Sequence, residues 1–283
     1  MDRNDIKEDT HFYLDNAPPK EVTNVLRVLS INSDLTPKKI SETLGDSYGF
    51  EMQKDYTYSP RRVFDLGLAE QNRKGSVVTY RLTEVGLKIQ NILGIDPALS
   101  MDLLHYLHYT GYTGLPHQRK YLWSYRRCCE ILWANMRVIS PSELASTIQA
   151  EMQDKFPWLD YGKKTGARFN STAASCVSTW LRALYPPPVD QVGSPLLPRN
   201  IDRYEIALLS LDETYRSSGY SYGDPVIMDD DFVQQVASVF FLDTESCKEL
   251  LRIGSRINQS VKISETLTGA SINLLKPFKI DNI

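Results

Sequence analysis

Leu35-Thr36-Pro37-Lys38-Lys39-Ile40-Ser41-Glu42-Thr43-Leu44 is echoed far downstream by Ile139-Ser140-Pro141-Ser142-Glu143-Leu144-Ala145-Ser146-Thr147-Ile148. Both run apolar, hydroxyl, proline, two variable residues, apolar, small, variable, threonine, apolar. The hydroxyl residue is a natural N-cap, and proline at the first helical position gives up an N–H that has no intrahelical partner anyway. Each copy therefore opens a short helix, and each is followed by another helical pattern. That is the rhythm of a helix-turn-helix, used twice.

Around the first copy the pattern extends in both directions. Upstream, Pro18-Pro19 opens a helix from Glu21 to Ile31, with Val22, Val25, Leu26 and Leu29 at helical spacing. The copy itself predicts a helix that stops at Gly45. Ser59 with Pro60 predicts a third helix whose inner residues are Val63, Phe64 and Leu66. The period then changes. Leu68–Gln71 and Val77–Leu82 read as strands around the basic tip Asn72-Arg73-Lys74-Gly75-Ser76, and Thr83 caps a helix from Glu84 to Leu93. Three helices, a hairpin and a trailing helix make a winged helix.

Around the second copy the chain is helical. Leu99–Tyr109 and Lys120–Met136 are rich in apolar and aromatic residues. Ser140 and Glu143 form a capping-box signature, and Asn170 or Ser171 caps a helix to Leu184. Residues 186–200 hold five prolines and read as a linker. Beyond it, Ile201–Tyr215, a stretch starting at Asp229-Asp230-Asp231 and one starting at Thr244 predict helices, and Val261–Ile263 with Ser271–Leu275 predict a hairpin. The expected fold is mainly α. Residues 1–17 are a flexible N-terminus, 18–95 a winged-helix domain, and 96–185 a helical domain with the second helix-turn-helix. Residues 186–200 form the linker, and 201–283 an acidic helical domain with a hairpin.

Composition bounds the function. The 283 residues are 42% hydrophobic and 24% charged, ordinary for a globular protein. No run approaches the roughly 20 apolar residues of a membrane helix. The charged N-terminus lacks an apolar signal core, and Cys128, Cys129, Cys176 and Cys247 form no C-x-x-C pair. These features predict a cytoplasmic protein with reduced thiols. Residues 1–95 carry 13 Lys+Arg and 14 Asp+Glu, residues 96–182 carry 10 and 7, and residues 183–283 carry 9 and 14. A basic middle and an acidic end suit one surface for a polyanion and another for a different partner.

The candidate interface is with double-stranded DNA. In a helix-turn-helix the second helix of the motif enters the major groove with its N-terminal residues. Here those are Thr57, Tyr58, Ser59, Arg61 and Arg62. Arginine suits guanine edges through its planar fork. Lys38 and Lys39 are placed for backbone phosphates, and Arg73 and Lys74 for a flanking phosphate or the minor groove. A second contact is offered by Arg126, Arg127, Lys163, Lys164, Arg168, Ser171 and Thr172. The plainer reading is that the aromatics between those arginines are core and the cations reach out from its rim.

Enzymatic signals are weak. No phosphate-binding glycine loop or nucleophile elbow is present. His105, His108 and His117 lack a carboxylate spaced to complete a zinc site, and histidines among tyrosines are more often packed and hydrogen-bonded. No catalytic residue, metal or cofactor is expected.

The run Tyr80-Arg81-Leu82-Thr83-Glu84-Val85-Gly86, then Ile95-Asp96-Pro97, then Met101-Asp102-Leu103-Leu104-His105-Tyr106 resembles a bacterial winged-helix family found beside DNA-phosphorothioation and other anti-phage defence gene clusters. Phe240-Phe241-Leu242 and Ser264–Gly269 are similar too. The family has no established catalytic residues, so none is carried over. The resemblance implies a non-catalytic DNA-binding subunit of a defence or DNA-modification system, working with protein partners such as an ATPase or nuclease. Two alternatives stay open: a scaffold whose winged helices dock partner proteins, and a dimeric transcriptional regulator.

Overall fold

The computed structural model describes residues 9–12, 14, 17–52, 57–115, 118–161, 167–266 and 269–283. Among them are eleven α-helices and five strands, a mainly helical fold with two small antiparallel sheets. The chain divides into two compact units. The first comprises residues 1–131 and 139–184, the second residues 132–138 and 185–283. The expected boundary near residue 95 is therefore not a boundary between compact units: the hairpin-bearing part and the helical middle belong to one body.

The first unit begins with α1 (Pro19–Ile31), α2 (Pro37–Tyr48) and α3 (Tyr58–Asp65), followed by β1 (Ala69–Lys74), β2 (Val77–Leu82) and α4 (Glu84–Ile95). That is the element order read from the sequence. Local chemistry sets most of the ends. Thr36 accepts the Lys39 N–H at 3.2 Å and Thr83 accepts that of Gly86 at 3.1 Å. The α2 helix passes through Gly45 and ends instead at Gly49, whose left-handed φ of 58° suits a residue without Cβ. The unit continues with α5 (Pro97–Thr110), α6 (Lys120–Asn135, its last residues in the second unit), α7 (Pro141–Lys155) and α8 (Ser171–Arg182). Ser140 caps α7, and Asn170 caps α8 through Ala173 N–H at 3.0 Å.

Of the expected flexible N-terminus, residues 1–8, 13, 15 and 16 lie outside the described residues, while Phe12, Leu14 and Ala17 are packed. Phe12 is fully buried, edge-on to Trp123 and Phe156 with centroids 6.0 and 5.2 Å away. Burying an aromatic ring offsets the entropy of holding a polar segment in place.

In the second unit α9 (Tyr204–Ser218) is buried from Ile206 to Tyr215. Around it lie β3 (Pro225–Ile227), α10 (Asp230–Ser238), α11 (Thr244–Ile257), β4 (Val261–Thr266) and β5 (Gly269–Leu274). The sheet order is β3-β5-β4, one strand more than the expected hairpin. Tyr215 ties helix to sheet: its hydroxyl accepts the Leu274 N–H at 3.2 Å and lies 3.0 Å from the Ile272 carbonyl.

The proline-rich stretch 186–200 is not a free linker. Val138 N–H bonds Ser194 O at 2.9 Å and Leu196 N–H bonds Met136 O at 3.0 Å. Asp243 N–H bonds Arg199 O at 2.8 Å. Arg199 is fully buried and donates to the Tyr185, Pro186 and Phe240 carbonyls at 2.9, 2.8 and 3.3 Å. Prolines remove donors from an extended chain, but the donors that remain are enough to pin this one into a wall.

Candidate nucleic-acid interface

The α3 helix is only eight residues long, so the face it buries leaves few positions free. Ser59, Arg62 and Val63 fall on one stripe at i, i+3 and i+4, and all three are buried. Ser59 donates to a Glu21 carboxylate oxygen at 2.7 Å. Arg62 is 2% exposed, and its guanidinium carbon lies 3.7 Å from the centroid of the Tyr121 ring. Its Nε and Nη1 are buried without hydrogen-bond partners. The expectation that Ser59 and Arg62 face a DNA groove is thus corrected. Phe64, expected inside, is 38% exposed. Val63 and Leu66 share this buried stripe, and the partners Glu21 and Tyr121 hold it inward. The arginine stem fills apolar space and its flat head stacks on a tyrosine, so a charged residue takes the place of the phenylalanine. Thr57 is exposed, while Tyr58 and Arg61 are half-buried.

The remaining cations of this part are on the surface. Lys38 and Lys39 are exposed in the first turn of α2 and share Glu42, at 3.9 and 3.2 Å. Such solvated pairs are weak and exchange readily for another anion. Arg73 and Lys74 are exposed at the end of β1, opposite Val78 and Val77 in the β2 register. Gly75, with φ of 63°, makes the turn. Alternation puts Glu70, Asn72 and Lys74 on one face with their β2 neighbours Arg81, Thr79 and Val77. They border a groove of about 620 Å³ that Asp34 and Gln71 also line. Arg81 is paired with Glu70 at 2.9 Å, and that hydrogen bond holds its guanidinium above its ordinary range.

One contact ties the start of α2 to the hairpin. Leu35 and Tyr80 exchange both backbone hydrogen bonds, at 3.2 and 2.9 Å. The residue just before the α2 cap is thereby joined to the middle of β2. Lys38 and Lys39 start from the edge of the hairpin that carries Arg73, Lys74 and Arg81.

The second basic group is dispersed. Arg126 bonds Glu130 at 2.8 Å and lies over Tyr109. Arg127 grips Glu151 with two bonds, at 2.8 and 2.9 Å, and also bonds Glu130. The Glu151 bonds push its guanidinium well above the usual range. These two arginines join helix to helix within the fold, which corrects the expectation of a DNA contact: part-buried, multiply bonded ion pairs are costly to open. Arg168, Ser171 and Thr172 are exposed at the start of α8. Lys163 and Lys164 lie outside the described residues. The inner face of α8 is Ala173, Ala174, Val177, Trp180 and Leu181. Its outer hydroxyls Ser175 and Thr179 bond back to the Ser171 and Ser175 carbonyls.

His105 and His108 belong to the core. His105 Nδ1 is 2.8 Å from the Tyr125 hydroxyl. His108 Nδ1 is 2.8 Å from the Leu104 carbonyl, so that nitrogen carries the proton. Burial first, then the nearby Arg62 charge, holds the His108 pKa well below 6.5. Cys128 and Cys129 are buried, and burial raises both thiols. Among the described residues, no group of three or more His, Cys, Asp or Glu side chains converges as a metal site would require. His117 lies outside them. No described helix is long and apolar enough to cross a membrane.

The fold is similar to that of SspB. The SspB crystal structure aligns with a TM-score of 0.55 and 10% identity, over 89% of this chain and 80% of that one. A magnesium-bound SspB structure aligns at 0.52 and 9%, with the same coverage. No protein-family model and no curated protein sequence matches. At this identity the likeness to SspB is one of backbone architecture.

Signals for the corrected residues were present. The Ser59, Arg62, Val63, Leu66 spacing is a helical stripe in its own right. Glu130 stands four residues after Arg126 and three after Arg127, where a helix places a partner. The Glu151 contact had no local signal, because it comes from another helix.

Proposed function

We propose that this protein is a non-catalytic double-stranded DNA-binding subunit of a bacterial defence or DNA-modification system, with α1–α4 and the β1–β2 hairpin acting as a winged helix. The observation that carries the reading is the Leu35–Tyr80 pairing, which sets the exposed Lys38 and Lys39 beside the hairpin of Arg73 and Lys74. Cations on an exposed hairpin and at a neighbouring helix start suit the phosphate backbone, which supplies most sequence-independent affinity. Arg61 is half-exposed on α3, and Arg168, Ser171 and Thr172 form a second, smaller contact at α8. Resemblance to a family found beside anti-phage clusters supports the biological setting, and the likeness to SspB is in keeping with the fold. Protein partners, such as an ATPase or nuclease of the same system, complete the reading.

An electrophoretic shift of random-sequence duplex at two salt concentrations tests it. The parent should bind, with affinity falling steeply as salt rises. The variant carrying K38A, K39A, R73A and K74A should lose most binding and show a log–log salt slope shallower by up to about 3 to 4, roughly 0.9 for each phosphate no longer neutralised. No retention of duplex at low salt, or equal retention by the variant, would show the reading to be wrong.

A further inference from the structure

The second unit carries a groove that DNA binding leaves unused. It has a volume of about 410 Å³ and is lined by Trp133, Met136, Pro198, Gln234, Leu242 and Asp243, among others. Its walls are built in advance. Met136 O receives the Leu196 N–H, and the Arg199 peptide bonds to Phe241 and Asp243 on either side of Leu242. Trp133 stands edge-on to Phe241, 6.2 Å between centroids. Met136 is 46% exposed and is held at a left-handed φ of 48°, an unusual conformation for a side chain of its kind.

Trp133, Met136, Pro198 and Leu242 give the groove an apolar side, Gln234, Asp243 and Thr244 a polar one, and acidic residues stand at its rim. Asp243 lines the groove and caps α11 through Ser246 N–H at 2.9 Å. Gln234 follows Asp230 and Asp231 by a turn of α10, so these share its side of the helix. Asp229, Asp230, Asp231 and Glu245 are all exposed. Lys248 lies between the two helix starts, 3.1 Å from Asp230 and 2.9 Å from Glu245. One lysine among five carboxylates leaves this end of the unit negative.

We infer that the groove docks a segment of a partner protein that inserts one apolar side chain against Trp133 and Met136 and sets lysine or arginine against the rim of Asp243 and Asp231. A preformed cleft binds such an anchor with little reorganisation. An apolar centre with a charged rim is the usual division between affinity and specificity. This docking is independent of DNA binding by the first unit.

The test uses the full-length protein and three short labelled peptides in a Ser/Gly background. The first has one leucine between lysine pairs, the second replaces leucine by alanine, and the third replaces the lysines by glutamates. Fluorescence anisotropy reads affinity. Fluorine spectra of 5-fluorotryptophan protein, with the Trp133 signal assigned through W133F, read location. Two variants preserve the fold: Met136→Asn, because asparagine tolerates a left-handed φ, and Asp231→Asn with Asp243→Asn, because asparagine still caps a helix. The leucine–lysine peptide should bind and shift the Trp133 signal. Losing the leucine or the lysines, or introducing either variant, should weaken binding by about tenfold. Absence of binding at about 1 mM, binding without a Trp133 shift, or equal binding by all peptides or by the variants overturns the inference.

Discussion

The guanidinium of Arg62 sits over the Tyr121 ring, its carbon 3.7 Å from the centroid, with Nε and Nη1 buried and without hydrogen-bond partners. A residue that reads as a DNA contact is a packing element joining α3 to α6. The stacking offsets part of the desolvation of a charged group, but the two idle nitrogens are a standing cost.

Removing the charge while keeping the length should therefore be tolerated. Arg62→Met is expected to match or exceed parent stability by about 1 kcal/mol, since an apolar isostere often equals a buried charge. It should leave duplex affinity unchanged. Tyr121→Ala, which opens a cavity under the same site, should cost about 3–5 kcal/mol. Urea denaturation and the duplex shift assay check both, and loss of DNA binding in a stable Arg62→Met protein would return Arg62 to the interface.

Ser59 and Glu21 form a second buried tie between α3 and α1. Ser59→Ala removes a hydrogen bond to a carboxylate and should destabilise by about 1.5–3 kcal/mol. Thermal unfolding measures it. A change within error would mean that the pair contributes little beyond its own desolvation.

Two glycines should respond differently to alanine. A Cβ at Gly86 would stand 2.0 Å from the Leu68 carbonyl oxygen, which the Thr83 N–H holds at 3.0 Å. At Gly254 the nearest atom would be Leu208 Cδ2, the end of a side chain, at 2.9 Å. Gly86→Ala should cost about 3 kcal/mol or more, and Gly254→Ala about 1 kcal/mol, because backbone yields less than a rotamer. Chemical denaturation of both variants decides the order.

His108 should make stability fall in mild acid. Its folded pKa is depressed by burial and by Arg62, while the unfolded value is near 6.5. Below pH 6.5 the unfolded chain gains a proton that the folded chain refuses. The contribution is thus complete above that pH and is lost as pH falls, by up to about 1.4 kcal/mol per unit. Urea midpoints between pH 7 and 5 should decline less steeply for His108→Phe than for the parent. Parallel slopes would exclude His108 as the source.

Much of this architecture was legible in the chain itself. Thr36, Thr83, Ser140, Asn170 and Asp229 each cap a helix through a bond three residues long, and the basic hairpin announced itself by its change of period. These are local interactions, so neighbouring residues suffice to specify them. The order of elements and the mainly helical class follow. Tertiary structure decided what depends on distant partners. The rotation of α3 was settled by Tyr121 and Glu21, the fate of Arg127 by Glu151 on another helix, and the shape of residues 186–200 by backbone groups at Met136, Val138 and Asp243. A charged side chain with an apolar stem can serve core or surface, and a proline-rich chain can be linker or wall. Only the packing that surrounds them distinguishes the two outcomes.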